Sequence, residues 1–224
     1  MDINNSSKKK LTIEEVSLGD HVCSIYKNKE EQFNPLKVFI KKGLDNHEKC
    51  FYIVDENSKE EVISELEKRG IETKKYIDSG QLVLLTKRDT YLKEGSFEPD
   101  RMINLLKETE RKALKEGYSG IRVTGEMTWV LEGVSGSEKL IEYEAKLNHF
   151  FPGSKATAIC QYNENKFKKE LLIEVIHTHP FLIIYGNLYG NRYYYSPASF
   201  EKGEHTLLPT DSYVLIRDDV IEDK

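Results

Sequence analysis

Few residues in this chain carry a thiol or an imidazole, and several of them sit in apolar runs. His21-Val22-Cys23-Ser24-Ile25-Tyr26 holds an imidazole and a thiol two residues apart. On a strand that spacing puts both side chains on one face. A further thiol, Cys160, ends the apolar run 156–160, and His177 and His179 stand just before Pro180. His21 and Cys23 can line a ligand pocket or, with Cys160 and His179 as partners, form a soft metal site. Thiolate and imidazole suit zinc, copper or haem iron. The competing reading is a buried Cys beside a hydrogen-bonded core His. Spacing alone favours that second reading, so no metal ligand is assigned. His177 and His179 near a helix end suit the negative pole of the helix dipole, which points to a structural role.

The carboxylates of interest end apolar runs. Glu126 closes Ile121-Arg122-Val123-Thr124-Gly125-Glu126, and Trp129 follows it. A charge at the end of a central strand is costly unless paired or solvated, which makes Glu126 a site candidate. Trp129 either walls an apolar pocket or caps the core. Asp55 ends Phe51-Tyr52-Ile53-Val54 and is either a site residue or a cap for the next helix. Tyr26 and Tyr162 end two further strands and are expected to converge with Glu126. An apolar-walled pocket with a few polar anchors suits a small organic ligand.

A phosphate-cradling loop of the form G-x-x-x-x-G-K-[ST] is expected after the first strand of a nucleotide-binding α/β fold. That place reads Lys27-Asn28-Lys29-Glu30-Glu31-Gln32-Phe33. It has no glycine to let backbone amides wrap an anion, and its two glutamates repel phosphate. Gly133 to Lys139 is glycine-rich but lacks the Gly-Lys-Ser/Thr order, and reads as a flexible loop and helix cap.

The elements that must position these residues alternate. Strands are expected at 21–26, 51–54, 81–86, 121–126, 156–160 and 181–186. Between them lie amphipathic helices: one capped by Asn34 with Pro35 in its first turn, one opened by the Ser58/Glu61 capping box, one from Asp100 to about Gly117, one from near Ser137 to Pro152, and one carrying Phe167, Leu171 and Val175. Strands alternating with helices of this length imply βαβ units and a doubly wound, mainly parallel α/β sheet. Residues 1–17 read as a flexible leader, 18–186 as the core domain, and 187–224 as an appendage with one strand-like run, Tyr213 to Ile216.

Composition narrows the function classes. The 224 residues carry 33 Lys and Arg against 38 Asp and Glu, a formal charge of -5. That argues against a nucleic-acid surface, which needs clustered cations. The basic run Lys8-Lys9-Lys10 reads as a solvated tail. No apolar run approaches the roughly 18 residues of a membrane span. Three cysteines without a C-x-x-C pair suit a reducing cytoplasm. The tyrosines Tyr185, Tyr189 and Tyr193 to Tyr195 could face a partner, a homodimer included, or form an ordinary surface.

Taken in order, several short motifs resemble one family. They are Gly19-Asp20-His21-Val22-Cys23-x-x-Tyr26, Gly43-Leu44, Cys50-Phe51-Tyr52-Ile53, Gly125-Glu126-Met127-x-Trp129, Cys160-Gln161-Tyr162 and His179-Pro180. The chain resembles the MEDS family, the sensory domain of methanogen and methylotroph signalling proteins and of the dichloromethane-responsive repressor. The resemblance implies a RecA/KaiC-like core, here without a Walker A loop. It also implies a non-catalytic sensor of simple hydrocarbon derivatives, usually fused to a histidine kinase or a DNA-binding region. No such output region is evident after Gly186: either the chain stands alone and a kinase or transcription regulator acts in trans, or the sequence is part of something longer. The expected ligand-binding set is His21, Cys23, Tyr26, Asp55, Glu126, Trp129, Cys160, Tyr162 and His179, with no catalytic residue and the cofactor unassigned. The alternatives are a metal- or nucleotide-dependent hydrolase and a ligand-free adaptor.

Overall fold

A computed structural model describes residues 11–203 and 209–222; Lys8-Lys9-Lys10 lies outside them. Two buried faces of one sheet organise the molecule. The strands are β1 (His21–Tyr26), β2 (Lys49–Val54), β3 (Leu82–Thr86), β4 (Ile121–Glu126), β5 (Ala156–Asn163), β6 (Phe181–Ile184) and β7 (Asn187–Gly190). Their order across the sheet is β3-β2-β4-β5-β1-β6-β7. Every pairing is parallel except β6 with β7. The expected mainly parallel α/β sheet is what forms.

The helices divide between the faces. On one side, α1 (Lys29–Asp45) and α2 (Lys59–Lys68) bury Phe33, Leu36, Phe39, Ile40, Val62 and Leu66 against Val22, Cys50, Tyr52 and Ile159. The short α3 (Thr73–Asp78) leads from there into β3. On the other side, α4 (Pro99–Lys115), α5 (Leu140–Phe150) and α6 (Lys169–His177) cover Cys23, Ile25, Val123, Cys160 and Tyr162. The central strands β1, β4 and β5 are buried at every position, as covering both faces of a parallel sheet requires, and the polar residues they carry are buried with them. We call the first side the α1 face and the second the α5 face.

Several local expectations differ from what forms. Helix α1 begins at Lys29, not at Pro35, because Asn28 is the better cap: its side chain accepts from Glu31 N at 3.0 Å. Pro35 then lies inside the helix. The fifth strand runs on through Gln161-Tyr162-Asn163. The sixth stops at Ile184, where Tyr185 and Gly186 both take positive φ, of 50° and 74°, and turn the chain into β7. The expected strand at Tyr213 to Ile216 is instead part of a helix, α8 (Ser212–Glu222). Helical spacing buries Tyr213, Ile216 and Val220 together and leaves Leu215 exposed; strand alternation would have split them. A further short helix, α7 (Pro197–Glu201), precedes α8. Among the described residues, no helix is long and apolar enough to cross a membrane.

Candidate functional site

The sequence-selected residues fall into two buried groups, one on each face. The carboxyl-edge group lies on the α1 face around Glu126. Strand alternation points Tyr52 of β2, Glu126 of β4 and Gln161 of β5 to that side. Glu126 Oε1 accepts from Tyr52 OH at 2.9 Å and from Asn57 Nδ2 at 2.6 Å. Its Oε2 accepts from the backbone N–H of Asp55 at 2.8 Å and of Asn57 at 2.9 Å. Four donors thus meet one carboxylate. Burial raises its carboxyl above the usual range, with the Asn57, Asp55 and Tyr52 hydrogen bonds pulling the other way.

The rest of this edge is equally closed. Gln161 accepts from Gln32 Nε2 at 2.9 Å and donates to Thr124 Oγ1 at 2.9 Å. Asp55 pairs with Lys87 Nζ at 2.7 Å and accepts from Thr128 Oγ1 at 2.5 Å; Ser58, not Asp55, caps α2. Tyr26 OH donates to Glu56 Oε2 at 3.3 Å, and burial raises its phenol well above the ordinary range. In the turn into α1, Glu31 Oε2 accepts from the Lys27 amide at 2.9 Å and Asn28 caps the Glu31 amide. Two of this turn's amides, those of Lys27 and Glu31, are thus already taken by side chains.

The second group lies on the α5 face and does not include Glu126. Alternation along β1 places His21 and Cys23 there, and along β5 it places Cys160 and Tyr162. Cys23 and Cys160 are register partners. The expected convergence of Tyr26 and Tyr162 with Glu126 therefore splits: Tyr26 stays near Glu126, while Tyr162 points to the opposite face. His179 arrives from the turn between α6 and β6, and its ring lies 4.0 Å from that of His21. These residues surround Glu144 of α5. Its Oε2 lies 3.2 Å from His21 Nε2, 3.4 Å from His179 Nε2 and 3.5 Å from Cys160 Sγ. Its Oε1 accepts from Tyr162 OH at 2.5 Å. His21, Glu144, Cys160 and His179 are all buried, and their ligand atoms lie within 4.8 Å of one another.

The imidazole protons are fixed by what lies behind the rings. Asn148 Nδ2 donates to two carbonyls, Thr178 O at 2.6 Å and Glu144 O at 3.3 Å, so its Oδ1 is left to accept from His21 Nδ1 at 3.0 Å. His179 Nδ1 donates to Val175 O at 2.6 Å. Both rings therefore donate from Nδ1 and turn Nε2 inward. His179 Nε2 has no aligned hydrogen-bond partner among the described residues. Burial, and then the neighbouring His179, hold His21 down at about 4 against the pull of Glu144 and Asn148. Burial works to raise Glu144, but the two imidazoles, His179 ahead of His21, overcome it and hold the carboxyl below the usual range. Burial, with Glu144 behind it, raises the Cys23 and Cys160 thiols well above theirs.

Aromatic side chains wall this group towards the carboxyl edge. Trp129 is fully buried, stacked on Tyr91 at 5.0 Å and against Phe97 at 4.7 Å. Gly125, the register partner of Cys160, has no side chain because the Tyr91 hydroxyl lies over it. His177 is apart from the cluster: its Nδ1 bonds Tyr193 O at 2.7 Å. Sequence reasoning passed over Glu144 and Asn148. Both lie on the apolar stripe of α5 with Leu140, Tyr143 and Leu147. A carboxylate on a buried helical face is itself a signal, since such groups are rarely buried without partners.

The likeness to known proteins agrees with this architecture. A crystal structure of a KaiC-like protein from the hyperthermophilic archaeon Pyrococcus horikoshii OT3 superposes with a TM-score of 0.51 at 15% identity, over 74% of this chain and 70% of that one. At that identity the likeness is one of fold: the chain has a KaiC-like, RecA-type core. No curated protein matches it. The family model described as "MEthanogen/methylotroph, DcmR Sensory domain", or MEDS, matches residues 20–180. The chain belongs to this family of sensory domains, and the matched span contains every residue of both buried groups.

Proposed function

We propose that this chain is a non-catalytic sensory input domain of the cytoplasm. It binds a small organic ligand of the hydrocarbon-derivative kind on the α5 face, between the His21/Cys160/His179 cluster and the Trp129 wall. It passes the change to a histidine kinase or transcription regulator. The observation that carries this reading is the contrast in hydrogen bonding. On the α1 face every polar group at the sheet's carboxyl edge named above is engaged by the protein itself. On the α5 face imidazoles, a thiol and a carboxylate crowd together among buried apolar side chains, and His179 Nε2 makes no aligned hydrogen bond. The side-chain-filled turn into α1 supports the absence of nucleotide chemistry, and three free, buried cysteines suit a reducing compartment.

Native mass spectrometry and thermal unfolding of the full chain test it, against dichloromethane, methanol, methylated amines and small thiols, with Mg-ATP alongside. The expected result is a retained adduct and a raised midpoint for one organic class, weakened in Trp129→Phe, with no ATP turnover. ATP hydrolysis, or indifference to every organic while a partner kinase still binds, would replace this reading with the enzyme or the adaptor.

A further inference from the structure

The geometry points to a transition-metal site: we infer that His21 Nε2, His179 Nε2, Cys160 Sγ and Glu144 Oε2 bind one divalent ion of the zinc type. The inference deepens the reading above by naming the chemistry of the same cluster. Metal content can nonetheless succeed or fail whether or not any organic molecule binds.

Distances carry the first part of the case. Tetrahedral zinc with Zn–N and Zn–O near 2.0 Å and Zn–S near 2.3 Å has ligand-to-ligand edges of about 3.3 Å between N and O and about 3.5 Å to sulfur. Four of the protein's six edges match: 3.2 and 3.4 Å from Glu144 Oε2 to the imidazoles, 3.5 Å from Glu144 to Cys160, and 3.6 Å from Cys160 Sγ to His21 Nε2; the other two, from His179 Nε2 to His21 and to Cys160, lie within 4.8 Å.

Orientation carries the second. With each Nδ1 committed to a fixed oxygen, both Nε2 atoms turn to the same carboxylate oxygen, the arrangement of ligand atoms around one ion. The charge also closes. One divalent ion, one thiolate, one carboxylate and two neutral imidazoles sum to zero, the only sum a fully buried site tolerates cheaply. Binding releases the Cys160 proton to solvent as the S–M bond forms.

The outer shell is that of a ligated site. Each histidine donates its far N–H to a fixed oxygen, Asn148 Oδ1 or Val175 O, and Tyr162 holds the free carboxylate oxygen. Thiolate and imidazole disfavour magnesium and calcium, and the carboxylate disfavours copper(I). Four protein ligands leave no open position for a substrate, which separates this site from a metallohydrolase.

The test uses the full chain grown with added zinc, or refolded from denaturant with Co(II) because the site is closed to solvent. Elemental analysis is expected to return one zinc per chain. The Co(II) form should show four-coordinate visible bands and a near-ultraviolet thiolate-to-cobalt band. Cys160→Ser should remove that band and keep the visible ones; Glu144→Gln and Asn148→Ala should each weaken zinc by about 10–100-fold. Cys50→Ser, on the opposite face, should change nothing. Folded, metal-free protein that takes up neither zinc nor Co(II), or a charge-transfer band that survives Cys160→Ser, overturns the inference. Zinc bound as expected with no response to organics would sink the ligand reading and leave this one standing; organics bound by folded protein that takes up neither zinc nor Co(II) would do the reverse.

Discussion

Glu126 and Glu144 are both fully buried carboxylates on opposite faces of one sheet, and their surroundings differ. Glu126 meets donors only: two backbone amides, a phenol and an amide. Its negative charge is spread into hydrogen bonds that the fold supplies, so it fastens the start of the segment after β2 to β4. Glu144 meets two donors, the Tyr162 phenol and the Cys160 thiol, and then two inward-turned imidazole nitrogens. A group that faces donors alone is complete. A group that also faces such nitrogens at ligand spacing has the surroundings of a ligand. Burial and sequence type are the same in both cases; only the direction of the neighbouring nitrogens separates a structural carboxylate from a ligating one.

The contrast can be broken most forcefully at Glu126. Glu126→Ala leaves four donors without an acceptor at a cost of about 1–3 kcal/mol each, so denaturant unfolding should show a loss of about 4 kcal/mol or more. Zinc content of whatever remains folded should be unchanged, because the damage is on the other face. Stripping zinc with a chelator should lower stability by about 4 kcal/mol, measured against protein held at a free zinc concentration about 1,000 times its Kd. A chelator that leaves the unfolding midpoint unmoved would make the two carboxylates equivalent.

Smaller changes sharpen the difference. Tyr162→Phe removes the one conventional donor to Glu144. It should cost about 1 kcal/mol of metal-free stability, and about tenfold in zinc affinity, read by competition with a chromophoric chelator. Cys23→Ser should have the least effect. Cys23 shares the face and the register of Cys160 but supplies none of the four ligand atoms, so the cobalt charge-transfer band should persist. Loss of the band there would mean that sulfur from β1, not β5, is the ligand.

Much of the scaffold was legible in the sequence. β1 and β4 fall on the expected residues because apolar runs between glycine or polar breaks have one easy reading in an α/β chain. Tyr213 to Ile216 was misread since a four-residue apolar run has no period of its own; the apolar Val220, a further turn along, decides for helix. The start of α1 was obscured by Pro35, a strong signal for a first turn that the better cap at Asn28 overrides. His21, Cys160 and His179 were visible as types. Their meeting was not, because nothing local says that β1 lies between β5 and β6. Glu144 was hidden in plain spacing, one carboxylate on a stripe otherwise chosen for leucine and tyrosine.

The placement of β1 between β5 and β6 also sets a timetable. His21 and Cys160 are 139 residues apart, which a ribosome takes roughly ten to thirty seconds to cover. Through that interval the first strand to emerge has no neighbour to pair with, and pairing over so long a separation is slow. The two strands that close over it bring Cys160 and His179 with them, after α5 has brought Glu144. The closing of the sheet around β1 and the birth of the cluster are therefore one late event in the life of the newborn chain.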